Sequence, residues 1–381
     1  MAKKSREFQV LVKPYGPKCN MDCSYCYYLD KEDLFPKNSD FKMSDILLEE
    51  YIIQHLKAST EEVITFNWHG GEPLAAGIDF FMKAVEYQNR YYPKNRQIIN
   101  VIQTNGTLLD ERWCRFFSAE EFVVGISLDG PREFHDLYRM NARRESTFEL
   151  TMNGYQLLQQ FEIPTEILCV VHAGNVLAPI EVYNYFKQLK ASYIAFYPLV
   201  EQEKGSPTGV SERTATAEEF GDFLIAVFDD WKLKDKGKIK VQVFEEATRI
   251  AFGQDHSLCI FKTTCGGVPV VEHNGDFFSC DHYVNDLNRL GNILETPLVE
   301  LLESQEQLAF GRAKLGTLPR YCLECGVRSM CGGECPKNRF IQTPGGEEGL
   351  NYLCQGYKKF FYHCRPFVLE VANSWHQQKR R

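Results

Sequence analysis

Cysteine carries most of the chemistry that this sequence announces. Of fourteen cysteines, three fall within eight residues, Cys19, Cys23 and Cys26, in the run Cys-Asn-Met-Asp-Cys-Ser-Tyr-Cys. Eight more lie toward the C-terminus: Cys259, Cys265, Cys280, Cys322, Cys325, Cys331, Cys335 and Cys354. Thiolates at such spacings hold metal. A closed structural zinc site takes four ligands, so a group of three leaves one position open for an exogenous ligand, and a group of eight suffices for two complete sites. On spacing alone, a zinc knuckle completed by a distant ligand and a pair of zinc ribbons satisfy the same counts. Glycine-bearing runs accompany the first group: Trp68-His69-Gly70-Gly71-Glu72-Pro73, Gln103-Thr104-Asn105-Gly106-Thr107 and Ser127-Leu128-Asp129-Gly130-Pro131. Glycine lets a ligand or another backbone come close where a side chain would block it. Glu72 reads either as a charged contact or as an acid at a helix start.

Those residues must be held by regular elements, and the pattern supplies them. Six β-rich runs, at 8–13, 61–67, 97–103, 121–128, 164–171 and 193–199, alternate with segments whose apolar residues recur at three and four positions, at 44–57, 78–91, 110–118, 147–161 and 178–190. Ser44 and Asp110 stand where helix N-caps are expected. Repeated βα units imply a parallel sheet, either open and doubly wound or an incomplete barrel, with function at the C-terminal ends of the strands. Each glycine-bearing run follows a strand. A polar loop at 201–217 precedes a helix at about 217–232, and the texture then changes to short segments with eight cysteines. A domain boundary is placed near 235, giving domains 1–235 and 236–381.

Composition narrows the class. With 381 residues the chain exceeds one ordinary domain, and 44% hydrophobic with 25% charged residues fits a folded globular protein. Basic residues number 43 against 51 acidic, a net charge of −8, and no long basic block precedes the terminal Lys379-Arg380-Arg381. Nucleic acid is therefore not expected as a main partner. No apolar run approaches a membrane span, and Met-Ala-Lys-Lys-Ser-Arg-Glu-Phe-Gln-Val lacks the marks of a signal peptide. A cytoplasmic protein with reduced cysteines is expected, which points to metal or redox catalysis rather than disulfides.

The Cys19, Cys23, Cys26 run, with Tyr25 before its last cysteine and a place just after the first strand, resembles the signature of radical S-adenosylmethionine (radical SAM) enzymes. The resemblance implies that three cysteines hold a four-iron, four-sulfur cluster whose fourth iron binds S-adenosylmethionine. One electron then cleaves the sulfonium, and a 5'-deoxyadenosyl radical abstracts a hydrogen atom from substrate. The 68–73 run resembles the family's GGE motif, so Gly71 and Glu72 are expected against the cofactor's amino group. Tyr25, Ser127, Arg139 and Val200 align with other cofactor-binding positions, Arg139 suiting a carboxylate and Val200 flanking the adenine. The fold so implied is a partial (β/α)6 TIM-like barrel.

The C-terminal cysteines resemble the SPASM extension, which binds two auxiliary four-iron, four-sulfur clusters. By position, Cys259, Cys265, Cys280 and Cys335 would hold the first and Cys322, Cys325, Cys331 and Cys354 the second. Their interleaving ties both sites into one unit. Cys114 and Cys169 read as buried core residues, and Cys364 has no assignment.

Across nearly the whole chain the sequence is similar to anaerobic sulfatase-maturating enzymes, through Cys19 to Tyr28, Trp68 to Pro73, Gln103 to Leu108, Gly275 to Tyr283, Gly332 to Phe340 and Leu350 to Tyr357. Such enzymes oxidise a cysteine or serine of an unfolded sulfatase segment to Cα-formylglycine. The chemistry needs a base for the thiol or hydroxyl proton, and Asp281, next to Cys280, matches the family's proton acceptor. An ordinary turn or an arginine pair is the alternative for Asp281. His69 and His282 flank these motifs as orienting or structural groups. The resemblance further implies an unfolded sulfatase polypeptide as partner, an electron donor such as flavodoxin or ferredoxin, no nucleic acid, no membrane and a monomer. Two other readings compete: a SPASM maturase that forms thioether or carbon-carbon crosslinks in peptides, and a zinc-stabilised binding protein without activity. The first usually brings a peptide-recognition module, and none is visible before Phe8.

Overall fold

The computed structural model describes residues 7–92 and 94–379. The sequence expectations that touch residues 1–6 and 380–381 lie outside them. Backbone contacts gather the chain into two compact units, each drawing on both sides of residue 235: one from 1–127, 138–165 and 265–312, the other from 128–137, 166–264 and 313–381.

In the first unit, β1 (Leu11–Val12), β2 (Val63–Trp68), β3 (Gln97–Thr104) and β4 (Val123–Ser127) run parallel in that order. Helices Asp45–Ala58, Ile78–Arg90 and Glu111–Ala119 follow successive strands. Both expected caps form: Ser44 Oγ accepts from the Leu47 N–H at 3.3 Å and Asp110 Oδ1 from the Trp113 N–H at 2.9 Å, each satisfying an amide that the helix itself leaves open. Alternation divides the faces of β2. Ile64, Phe66 and Trp68 are buried, and Trp68 meets Tyr51 and Phe81 edge-on at centroid distances of 6.3 and 5.6 Å, so aromatic packing fastens this face to the helices.

The second unit carries β5 (Thr165–Val171), β6 (Tyr193–Pro198) and β7 (Lys240–Val241), also parallel and in order. Its helices Ala217–Lys234 and Cys354–Lys379 pack through glycines. A Cβ on Gly356 would lie 2.1 Å from the Ala217 carbonyl oxygen and one on Gly221 2.7 Å from Gly356 Cα, so only glycine lets these two helices cross so closely. Cys114, Cys169 and Cys364 are all fully buried, as read for the first two.

The six expected strands form within a few residues of their predicted bounds, and four more appear beyond them. Besides β7 these are β8 (Val270–Val271), β9 (Asp276–Phe278) and β10 (Arg289–Asn292), all in the first unit. β8 joins β1 in parallel, and β9 and β10 continue antiparallel. They are two to four residues long, too short for alternation to mark them. Their effect is large, because they bring Cys280 and Asp281 into the unit that holds Cys19.

Candidate active site

Everything in the first unit that chemistry would need lies where its parallel strands end. After β1 the chain turns through Gly16, whose N–H donates to the Lys13 carbonyl at 3.1 Å, and enters the run from Cys19 to Cys26. The loop after β2 closes against that turn: the Gly71 N–H donates to Gly16 O at 2.9 Å and the Glu72 N–H to Lys18 O at 2.9 Å. A Cβ on Gly71 would stand 2.1 Å from Lys18 O. The glycine that the sequence associates with a close approach to a ligand is also required by the protein's own backbone.

Glu72 is fully buried. Its Oε1 accepts from Thr104 Oγ1 at 2.8 Å and from the Leu74 N–H at 3.0 Å, and its Oε2 from the Asn105 N–H at 2.8 Å. Burial pushes its carboxyl up to about 7, against the pull of these three donors. The loop after β3 thereby reaches Cys19: Asn105 Nδ2 donates to Cys19 Sγ at 3.7 Å and to Asn20 Oδ1 at 2.9 Å, and the Met21 N–H donates to the same sulfur at 3.4 Å. At the end of β4, Ser127 Oγ accepts from Gln103 Nε2 at 2.9 Å.

The cysteine run pairs with residues 138–141. The Asp22 N–H donates to Met140 O at 2.8 Å and the Ser24 N–H to Tyr138 O at 3.0 Å. This pairing sets the Arg139 guanidinium over the Tyr25 ring at 5.4 Å. The Cys26 thiol is pushed up by burial and drawn down by Arg139 among its neighbours. Tyr25, Arg139, Gly71, Ser127 and the three cysteines therefore belong to one unit.

Asp281 is in that unit too. Lys13, fully buried at the end of β1, donates its ammonium to Asp281 Oδ1 at 2.5 Å, and the Tyr27 phenol donates to Oδ2. Burial would raise the Asp281 carboxyl, but the Lys13 ammonium reverses the shift and holds it well below the usual carboxylate range. His69 Nδ1 accepts from the Gly70 N–H at 2.8 Å and faces the Lys13 ammonium at 3.2 Å. Burial, then Lys13, lowers the imidazole to about 4, so His69 is neutral with its proton on Nε2. Lys13 also lies over the Tyr28 ring at 4.2 Å. Sequence reasoning missed Lys13 and Tyr27. The signals were a lysine ending an apolar strand and a tyrosine directly after a cysteine, and each acquires meaning only once β8 and β9 deliver Asp281.

The remaining cysteines divide by unit. Cys265 and Cys280 lie in the first, Cys259 and Cys335 in the second. Cys322, Cys325, Cys331 and Cys354 all lie in the second, where their thiols fall within one another's electrostatic reach. Among the described residues no three His, Cys, Asp or Glu side chains converge on a point that would hold a single ion. Val200 lies in the second unit just past β6, its side chain buried and its carbonyl accepting from Lys337 Nζ at 2.9 Å.

Comparison with known proteins is consistent with this geometry. Residues 14–185 match the Radical SAM superfamily and residues 265–326 an iron-sulfur cluster-binding domain, SPASM. A serine-type anaerobic sulfatase-maturating enzyme of Bacteroides thetaiotaomicron is 40% identical over 96% of this chain and 91% of its own length. A cysteine-type enzyme of the same kind from Clostridium perfringens is 32% identical over 96% of this chain and 98% of its own. Among solved structures, native anSMEcpe with bound AdoMet and Cp18Cys peptide superposes with a TM-score of 0.86 at 32% identity, covering 96% of this chain and 99% of that one. Streptococcus suis SuiB bound to its precursor peptide, at 14% identity over 92% of this chain and 77% of that one with a TM-score of 0.60, shares the fold.

Proposed function

The chain belongs to the anaerobic sulfatase-maturating enzymes of the radical SAM superfamily, and from that premise we propose how its residues divide the work of oxidising a serine or cysteine side chain of a sulfatase polypeptide to Cα-formylglycine. Cys19, Cys23 and Cys26 would hold the radical-forming four-iron cluster, which with S-adenosylmethionine supplies the 5'-deoxyadenosyl radical that takes a hydrogen atom from the target Cβ. Cys259, Cys265, Cys280 and Cys335, and separately Cys322, Cys325, Cys331 and Cys354, would hold two auxiliary clusters suited to accept electrons. Residues 1–235 then form the radical-generating part and 236–381 the auxiliary part.

Tyr25, Gly71, Ser127, Arg139 and Val200 are assigned to the cofactor. Arg139 is the natural partner of its carboxylate, and the backbone at Gly71 is the surface its amino group approaches. Glu72 is given a different task from direct contact. Its carboxylate is fully buried and already accepts three hydrogen bonds, so it positions Asn105 and through it Cys19.

The observation that carries the reading is the ion pair between Lys13 and Asp281. Once a hydrogen atom has left the target carbon, the hydroxyl or thiol proton must also leave, and Asp281 is the base we assign to it. Lys13 keeps the carboxylate ionised and fixed. Tyr27 donates to the other oxygen of the carboxylate, and its phenol is the donor we assign to yield when the proton arrives. Replacing Asp281 by Asn tests this: formylglycine should be lost while 5'-deoxyadenosine still forms, and full product yield would overturn the assignment.

Serine-type relatives at 40% and 35% identity and cysteine-type relatives at 32% make serine the first target to assay. The proposal includes an external donor such as flavodoxin or ferredoxin, a monomeric enzyme and a cytosolic setting. Among the described residues no helix is long and apolar enough to cross a membrane.

A further inference from the structure

Among the described residues the half-buried carboxylate of Glu166, in the second unit, has no ion-pair or hydrogen-bond partner. Glu166 lies near the start of β5, on the face opposite the fully buried Ile167, Cys169 and Val171. The register pairs Ile167 with Ile194, which sets Glu166 beside Tyr193 of β6, and Tyr193 is paired in turn with Lys240 of β7. Tyr197 follows four residues on, so it shares the Tyr193 face. Behind this row, on the opposite face of β6, Phe196 packs on Phe223 at 5.1 Å. Gln242, the first residue of helix Gln242–Ala251, is the side chain that draws both phenols' pKa down against burial.

Among the described residues the Glu166 side chain makes no ion pair and no hydrogen bond. Lys240 is the cation whose field reaches it, from two strand spacings away, about 10 Å between backbones. Burial pushes the Glu166 carboxyl up, and it also pushes the Tyr197 phenol up to about 12. Both tyrosines are therefore neutral, presenting ring faces and hydroxyls rather than charge. Tyr197 keeps 37% of its surface exposed, so part of its ring is reachable from solvent while its hydroxyl end is enclosed.

A partly desolvated carboxylate without a partner is unfavourable, and its natural complement is a cation. The Tyr193 ring beside it, with Tyr197 further along the same row, adds faces that attract the same charge. Tyr197 also lies within electrostatic range of Cys259, a thiol assigned above to an auxiliary cluster. The cation is therefore sought on the polypeptide being oxidised rather than on a bulk counterion. We propose that Glu166, Tyr193 and Tyr197 form a subsite for a basic side chain of the substrate polypeptide, a specificity-determining contact that rests on the peptide-oxidising function proposed above. A guanidinium suits it best, because its planar fork matches a carboxylate and its face stacks on a phenol.

The test uses the reconstituted holoenzyme and synthetic serine peptides in which one arginine is moved from position to position, each compared with the same peptide carrying neutral citrulline there. At one position arginine should lower KM roughly 10-fold relative to citrulline, the size expected of a charge-assisted contact. Glu166→Gln should erase that advantage through KM, leaving kcat, the citrulline peptide, iron content and peptide-independent 5'-deoxyadenosine formation unchanged. Tyr197→Leu should weaken the advantage in the same direction. An arginine-to-citrulline ratio near one at every position in the wild-type enzyme overturns the subsite without reference to any variant. So does a ratio that Glu166→Gln leaves intact. An enzyme that makes no formylglycine from any peptide contradicts the functional reading instead, and direct binding of the arginine and citrulline peptides then still decides the subsite.

Discussion

Lys13 and Asp281 are separated by 268 positions in the sequence and by 2.5 Å in the fold, with the lysine side chain wholly buried. One closes the first strand of the sheet and the other follows the ninth. Their meeting joins a cysteine run near the N-terminus to one near the C-terminus within a single unit. It also fixes the protonation state of the carboxylate to which proton transfer is assigned.

Breaking that pair from either side should give different phenotypes. Asp281→Asn removes the base and should lower formylglycine formation by at least about 100-fold, with S-adenosylmethionine cleavage retained. Lys13→Met leaves a buried charge without its partner and should cost about 3 to 5 kcal/mol of stability. Anaerobic denaturant titration of the two variants checks this. Equal stability of Lys13→Met and wild type would remove the pair from the account.

Two buried carboxylates should titrate in opposite senses. Asp281 is held below the usual carboxylate range, so its contribution to stability is present above the unfolded value of about 4 and is lost as pH falls through the folded one. Glu72 is raised from 4.5 to about 7, so its contribution is complete below 4.5 and is lost as pH rises toward 7. The loss is on the order of 3 kcal/mol. Stability measured against pH should show the second slope in the wild type and not in Glu72→Gln. An identical slope in both proteins would assign it elsewhere.

Gly71→Ala should be more damaging than its one added carbon suggests. The new Cβ would meet the Lys18 carbonyl at 2.1 Å, so two backbone segments must separate, at about 1 to 3 kcal/mol. The turn leading into Cys19 would move with them. Equilibrium binding of S-adenosylmethionine should fall sharply, and unchanged affinity would show that this turn does not shape the cofactor site.

Much of this architecture was legible in the sequence, and the exceptions have physical causes. Alternating and three-four periodicity marked β2 to β6 and the helices between them, because those elements are long enough for one face to be buried over several repeats. Only two residues of the expected 8–13 run form β1, Leu11–Val12. Strands β7 to β10 were invisible for the same reason, being two to four residues long. Cysteine spacing carries the proposed ligand groups, most plainly Cys19, Cys23 and Cys26, which lie in one loop. The roles of Lys13, Tyr27 and Glu166 were not readable, because a buried charge is defined by what lies across the fold from it. For Glu72 the sequence identified the residue, and its three donors and complete burial are visible only in the fold.

The cysteine groups should separate by substitution. Anaerobic reconstitution of the wild type should give about twelve irons per chain, and Cys19→Ala, Cys23→Ala and Cys26→Ala together about eight. The triple variant should no longer cleave S-adenosylmethionine. Replacing Cys322 and Cys354 should reduce iron while leaving that cleavage in place. Zinc in place of iron would contradict all of these assignments.

The central claim is tested most directly by incubating the reconstituted enzyme anaerobically with S-adenosylmethionine, a reductant and a serine peptide from a sulfatase active site, then analysing the peptide by mass spectrometry with hydrazide capture of aldehydes. The account predicts loss of two hydrogens from the serine, hydrazide-reactive product and stoichiometric 5'-deoxyadenosine, with the aldehyde absent in Asp281→Asn. Production of 5'-deoxyadenosine with a crosslinked or unchanged peptide, and no aldehyde from either a serine or a cysteine target, would contradict it.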